Sequence, residues 1–483
     1  MGFKATLISL PIVHLTGDPF GNIPFMPTSV TCLAGYLRQE GVDVSIIDGF
    51  GSAPKRMYKI DDKLSAFGLT EDEIVEQLSD EKLVGISVHA AMSHSFALRL
   101  AKKIKARNPD VILIAGGHHV SIVYKEFLEG DFDYVCYSEG ERPLLGLVEY
   151  LRDNKSHPSE IVGLLSDSHT KPVADFEEDL DKLGFAALDM LALENYWKLG
   201  MSHAPVQGKY MVITTSRGCP YKCRFCTTPL LQGRKWRTRS PKHIVDEIEQ
   251  GVQKYGIEDV LIQDEIFAAK KEVALEMAKE IQKRGLKIRL YLPSGTKIET
   301  IDEETLSELR KVGLQHICLA PESGSERILK KMNKPMDFEK LERIVVFARK
   351  IGIKIMANFV VGFEDENDDD RRLTRELVLR LTKLGVHEVS LFIWTPLPGA
   401  ASFESETGWE RYEDLNWSPR WRSNYGELNR FRKRLYAQWL FTKLLYHPID
   451  LVRSARNVLI GRYELKSEMA LRRVLNMYLP FLW

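Results

Sequence analysis

Short runs of Val, Ile and Leu alternate with amphipathic stretches along most of this chain, in two separate series. In the first, apolar runs at 5–10, 43–47, 83–88, 111–115 and 134–137 are separated by helix-like stretches near 29–40, 70–79, 94–106, 121–128 and 142–152. Near-continuous apolar strands with amphipathic helices between them are the pattern of a parallel sheet covered on both faces. The expected fold class is therefore α/β, opening with a doubly wound parallel sheet of the flavodoxin or Rossmann kind over residues 1–152. The second series has strands at 211–215, 259–263, 287–292, 315–320, 353–361 and 387–393, with helices near 241–255, 270–284, 302–312, 337–351 and 367–384. Six β/α units predict a partial TIM-type (β/α)6 barrel over 206–400. Residues 153–205 lack sustained periodicity and carry an acidic patch at 175–181, so they read as a short hairpin and linker. Residues 401–483 read as a helical cap.

Both architectures collect functional groups at the carboxyl ends of their strands. At that end of the second series, directly after its first strand, stand Cys219, Cys223 and Cys226 in a Cys-x3-Cys-x2-Cys run. Three thiolates on one short loop can hold three irons of a cubane iron–sulfur cluster and leave the fourth iron open. A structural zinc would want a fourth ligand at finger or ribbon spacing, and none follows. Six cysteines in 483 residues are too few for a disulfide framework. In the first series the corresponding loops are 11–28, 48–51, 87–93, 116–120 and 138–142. They carry Gly116-Gly117-His118-His119 and Ser138-Glu139-Gly140-Glu141, whose glycines either admit a ligand to the backbone or simply make turns.

Composition removes some classes. With 44% apolar and 28% charged residues the chain is an ordinary globular protein. Its 67 Lys and Arg match its 67 Asp and Glu, so no global field points to nucleic acid. The balance conceals an asymmetry: residues 411–483 hold 14 Lys and Arg against 6 Asp and Glu, leaving −8 for the rest. No apolar run approaches the roughly 18 residues that span a bilayer. Met1-Gly2 opens a formal myristoylation pattern, but the core strand expected at 5–10 makes that match chance. With no secretory leader visible, a reducing, cytoplasmic location is expected, which suits an oxygen-sensitive cluster.

With its cluster loop after strand one of a six-unit barrel, the stretch 205–400 resembles the radical S-adenosylmethionine (SAM) superfamily. The resemblance implies a [4Fe–4S] cluster on Cys219, Cys223 and Cys226, with SAM chelated to the open iron and cleaved by one electron to a 5′-deoxyadenosyl radical. Phe225 matches the aromatic position beside the adenosine. Asp264 and Glu265, in Gln263-Asp-Glu-Ile-Phe267, take the place of the acidic group for the methionine amino end. The bland alternative for this pair is a helix-start acidic couple favoured by the macrodipole. Glu322 and Ser323, in Pro321-Glu-Ser-Gly-Ser325, resemble the segment near ribose and carboxylate, with Arg327 as a charge partner. Asn358-Phe-Val-Val-Gly362-Phe-Glu-Asp365 resembles the adenine strand with its first Gly replaced by Asn and its last Glu by Asp, which leaves Gly362 as the accessible backbone. Cys318, on the fourth strand, reads as core.

The N-terminal segment resembles the cobalamin-binding domains joined to such enzymes, through residues 27–38, 85–88, 115–118 and 137–141. That implies a cobalamin cradle including Ser87, Gly116, Gly117, Glu139 and Gly140. Ile12-Val-His14-Leu-Thr-Gly17 keeps the His and Gly of the family's Asp-x-His-x-x-Gly but lacks the Asp. His14 is thus the candidate cobalt ligand, against an arrangement, shared with many relatives, in which no histidine reaches cobalt. An axial His wants a carboxylate or carbonyl partner. For His89, His118 and His119, packing or phosphate contacts are expected.

Together these resemblances imply a cobalamin-dependent radical SAM enzyme of the C-methyltransferase kind, using one SAM to methylate cobalamin and another to make the radical. A cyclase or rearrangement enzyme with the same cofactors is the alternative, and a non-catalytic cobalamin or SAM sensor the alternative of another class. Methylthiotransferases would need three N-terminal cysteines, and only Cys32 and Cys136 precede the barrel. The implied partners are a small-molecule or lipid-like substrate and an electron donor such as flavodoxin or ferredoxin. No catalytic side chain is assigned. In the tail, Trp409, Trp417, Trp421, Trp439 and Trp483 accompany a basic helix near 431–446. It reads either as a cap with its stripe buried, the preferred expectation, or as a peripheral attachment to an anionic membrane.

Overall fold

The computed structural model describes residues 3–18, 23–405 and 407–478. Met1, Gly2, residues 19–22 of the loop 11–28, and Trp483 lie outside the described residues. Contacts divide the chain into two units: 1–199 with 227–237 and 410–416, and 200–226 with 238–409 and 417–483.

The first unit is built on a six-stranded sheet in the order Asp43–Asp48, Lys4–Ser9, Leu83–Ser87, Ile112–Gly116, Tyr134–Cys136, Leu164–Leu165. The first five strands run parallel and Leu164–Leu165 pairs antiparallel at the edge. Strand order reverses beside Lys4–Ser9, giving the switch point of a doubly wound fold. Alternate residues feed two cores, because successive strand side chains point to opposite faces. Ile8, Ile86, Leu113 and Val135 meet Phe96 and Leu100 on one face, while Leu7, Leu83 and Ile114 meet Leu37, Leu144 and Leu147 on the other.

Two features depart from the sequence reading. The loop expected at 11–28 contains a strand, Ile12–Leu15, in an antiparallel sheet with Leu64–Phe67 and Met57–Lys59. Residues 153–199, expected as linker, group with this unit. They supply the edge strand, an Ala187 N–H bond to Thr31 O (2.9 Å), and the buried Tyr196, whose hydroxyl donates to Asp48 at 3.0 Å.

The second unit holds a six-stranded, all-parallel sheet in sequential order: Tyr210–Ile213, Asp259–Ile262, Arg289–Thr296, Leu314–Glu322, Lys354–Val361, Glu388–Ile393. Helices Pro241–Tyr255, Lys271–Lys283, Glu303–Lys311, Phe338–Lys350 and Asp368–Leu384 connect the strands. Their boundaries are set by local chemistry. Ser240 caps the first with Pro241 at its opening position, Asn367 and Asp370 form a capping box, and Gly256 and Gly385 end their helices in the left-handed region. Three further helices, Tyr425–Tyr446, Pro448–Ile460 and Lys466–Tyr478, close the chain.

Candidate functional site

The cysteine loop leaves the carboxyl end of the first barrel strand and is fastened on both sides. On the strand side, Asp264 accepts the Thr215 N–H at 2.6 Å, the Thr215 hydroxyl at 2.5 Å and the Ser216 hydroxyl at 2.6 Å. Arg239 adds a bond to Thr214 O at 3.2 Å while paired to the buried Glu247 at 2.6 Å. Beyond the first cysteine, Arg224 N–H bonds Met332 O at 3.0 Å and Asn333 donates to Lys222 O at 2.8 Å. The Arg224 guanidinium meets Glu364 at 3.2 Å, and Ser402 donates to Arg224 O at 3.1 Å.

All three thiols are half-buried. Burial pushes the Cys223 thiol up to about 11, while Lys334 and Lys297 pull it down. Lys297 lies over the Tyr221 ring at 4.3 Å. Lys334 pairs with Glu322 at 2.6 Å and sits 5.9 Å from the Phe225 ring. Two mostly buried cations therefore stand by to offset the charge of thiolate ligands. Among the described residues no three His, Cys, Asp or Glu converge where one ion could sit. A cubane takes each thiolate on a different iron, and three half-buried thiols on one loop supply that donor set. The donor set fits the cluster.

The remaining SAM residues separate into two groups. Glu265 is exposed and close enough to Cys219 to raise its thiol, after burial itself. Phe225 packs edge-on to Phe363 (6.4 Å, 80°), which packs on Trp394 at 5.0 Å, a small apolar wall. Glu322 ends the fourth strand at φ 62° with its carboxylate held by Lys334.

The others have structural partners within the protein. Asp264 is fully committed to Thr215 and Ser216, and burial pushes its carboxyl up to about 6 despite those bonds. Ser323 is completely buried, bonded to Thr374 at 3.1 Å and accepting the Ser325 N–H. Arg327 is taken by Asp370 and by Asp365 O at 2.8 Å. At Gly362 (φ 80°) an added Cβ would lie 2.5 Å from Leu428, so the missing side chain makes room for a helix. Its carbonyl accepts from Arg422 at 2.9 Å. Asp365 is exposed and paired to Lys331, whereas the next residue, Glu366, is buried with one oxygen unpartnered and its carboxyl pushed up to about 7 by burial. Sequence reasoning also passed over the Asn358 side chain. Its Oδ1 is buried without a partner, and its amide nitrogen lies 3.9 Å from the position a Gly295 Cβ would take. Cys318 is fully buried core.

In the first unit, Gly117 (φ 111°) is required, since a Cβ would lie 2.6 Å from Val88 O. Ser87 and Gly116 end neighbouring strands at that edge, and the Ser87 hydroxyl is 3.5 Å from that of Ser29. Gly140 abuts Leu33. Glu139 forms a buried two-pronged pair with Arg237, at 3.0 and 2.5 Å. His14 is 2% exposed and stacks on Phe67 at 5.2 Å. Its Nδ1 donates to Leu15 O at 2.9 Å, leaving Nε2 as a buried lone pair without a partner. A backbone carbonyl thus does for this imidazole what the absent Asp would do. His94 and His119 form a buried pair at 3.0 Å under the Tyr412 ring, so His119 is packed in a cluster.

Comparison with known proteins agrees with this chemistry. The Radical SAM superfamily model matches residues 213–378, and the B12 binding domain model matches residues 24–148. The chain therefore carries a match to each of these two domain families, one in each series of strands. Solved proteins of similar fold hold cobalamin with a [4Fe–4S] cluster, or cobalamin with SAM. The chain is 26% identical to an uncharacterized methyltransferase of Pyrococcus horikoshii, over 84% of this chain and 82% of that one. It is 27% identical to the cytidylyl-2-hydroxyethylphosphonate methyltransferase of Streptomyces wedmorensis, over 70% and 68%. In fold it resembles TsrM of Kitasatospora setae, a radical SAM methyltransferase solved with cobalamin and [4Fe–4S] cluster bound (TM-score 0.64, 18% identity, 83% of this chain and 74% of that one). No described helix is long and apolar enough to cross a membrane.

Proposed function

We propose that this radical SAM enzyme transfers a methyl group to an unactivated carbon of a small-molecule substrate. The observation that carries the reading is the cysteine loop, fixed at the barrel's carboxyl end by Asp264 on one side and Met332, Asn333 and Ser402 on the other. An unactivated C–H bond offers no proton that a side-chain base can remove at neutral pH, so the chemistry calls for a radical. When bound, the cluster with SAM supplies that hydrogen-abstracting radical and cobalamin supplies the methyl group.

The protein's share is holding, orienting and drying the reactants. Cys219, Cys223 and Cys226 hold the cluster. Glu265 would take the methionyl amino group of SAM, and Glu322, itself oriented by Lys334, would contact its ribose. Phe225, backed by Phe363 and Trp394, excludes water beside the nucleoside. Asn358 Oδ1 accepts a hydrogen bond from nucleoside or substrate. Ser87, Gly116, Gly117 and Gly140 would line the cobalamin cradle, and His14, with Nε2 unpartnered, would be the side chain able to reach cobalt. A flavodoxin or ferredoxin in the cytoplasm would supply the electron. The test is to grow a host expressing the protein on methyl-labelled methionine and compare its metabolites with a host expressing Cys226→Ala. A compound that gains one labelled methyl only with the intact protein supports the reading, and its absence opposes it.

A further inference from the structure

The helices Tyr425–Tyr446 and Pro448–Ile460 bury one side and leave the other bare. Leu428, Arg432, Leu435, Thr442 and Lys443 are the buried positions of the first. Leu440, Phe441, Leu444 and Leu445 are exposed, Phe441 and Leu445 to 61%. Their spacing places them on one stripe of the helix. The second helix adds Ile449, Val452 and Leu459, exposed to 74, 71 and 83%. A lone exposed Leu needs no explanation, but seven large apolar side chains within the twenty residues 440–459 form a patch. The sequence expectation of a cap with its stripe buried holds for Leu428, Arg432, Leu435, Thr442 and Lys443 and fails for Leu440, Phe441, Leu444 and Leu445.

The charge around the patch is one-sided. Residues 428–463 contain eight Lys and Arg and a single acid, Asp450, which is paired with Arg349. Arg430, Lys433, Arg434, Arg453, Arg456 and Arg462 are exposed, and none is in an ion pair among the described residues. A second copy of the chain would bring the same cations to a two-fold contact and repel it. A surface with an apolar interior beneath an anionic layer matches both features.

We propose that this helical pair docks the protein on an anionic lipid surface, with the stripe 440–459 at the headgroup–acyl boundary and the six cations against headgroups. The inference stands on the patch alone and is independent of the cofactor reading. It is tested by co-sedimenting the full chain with vesicles of phosphatidylcholine and phosphatidylglycerol, against phosphatidylcholine alone, at low and high salt. The expected result is binding to the anionic vesicles that weakens with salt. Phe441→Gln with Leu445→Gln should abolish it. Arg453→Gln with Arg456→Gln should weaken it at low salt by about fivefold per cation removed. All four positions are exposed, so unchanged melting curves show that the variants fold. No binding to anionic vesicles, or both double variants binding like wild type, overturns the proposal. So does a wild-type dimer that Phe441→Gln with Leu445→Gln turns into a monomer without any vesicle binding, since the face is then a contact between copies.

Discussion

Asp264 holds Thr215 by both its backbone N–H and its hydroxyl, and so fixes the end of the strand from which the cluster loop departs. Removing a buried acceptor strands three donors, and each unsatisfied donor costs about 1–3 kcal/mol. Asp264→Ala should therefore lower unfolding free energy by about 3 kcal/mol and reduce iron content after reconstitution. If Asp264 were instead a SAM ligand, the variant would keep its stability and its iron and lose only SAM binding.

Glu139 and Arg237 form a buried pair with side-chain exposures of 7% and 2%. Taking away one partner leaves an uncompensated buried charge, at a cost of about 3–5 kcal/mol. Arg237→Ala should be destabilised by that amount in chemical denaturation, and Arg237→Ala with Glu139→Gln should recover part of it. A cobalamin-binding role for Glu139 predicts little loss of stability in the apoprotein.

His119 is buried, and burial, with the neighbouring His94, pulls its imidazole down to about 3. The unfolded chain takes up this proton near pH 6.5, so it binds more protons than the native state between about 6.5 and 3. Stability from this group is complete above pH 6.5 and falls by about 1.4 kcal/mol per pH unit as pH drops toward 3. Denaturant titrations between pH 7 and pH 5 should show His119→Gln with a shallower slope than wild type.

His14 presents Nε2 without a partner while Nδ1 is engaged by Leu15 O. If it ligates cobalt, cobalamin bound to nitrogen-15 histidine-labelled protein should show a nitrogen coupling in the cob(II)alamin electron paramagnetic resonance spectrum. His14→Phe should remove that coupling, with cobalamin still bound. An unlabelled-type spectrum in wild type would place no histidine on cobalt.

The two sheets were legible because their strands are continuous Val, Ile and Leu runs, and burial on both faces leaves that mark at every position. Ile12–Leu15 escaped because a four-residue edge in a small antiparallel sheet carries no period long enough to read. The cysteines were legible because their function is their spacing. The internal partners of Asp264, Ser323, Arg327, Gly362 and Glu139 were not legible for a shared reason: they lie far along the chain. Asp264 is held by Thr215, Gly362 by Leu428 and Arg422, and Glu139 by Arg237. A local motif cannot reveal such a commitment. The unpartnered oxygens of Asn358 and Glu366 are likewise visible only once the surrounding side chains are placed.

The central claim is radical methyl transfer begun at Cys219, Cys223 and Cys226. Its most direct test is anaerobic reconstitution with iron, sulfide and cobalamin, followed by reduction and incubation with SAM and extract of the source cells. Chromatography should find 5′-deoxyadenosine and S-adenosylhomocysteine rising together, and Cys219→Ala, Cys223→Ala and Cys226→Ala should each abolish the 5′-deoxyadenosine. S-adenosylhomocysteine without 5′-deoxyadenosine, or 5′-deoxyadenosine that persists in the cysteine variants, would contradict the account.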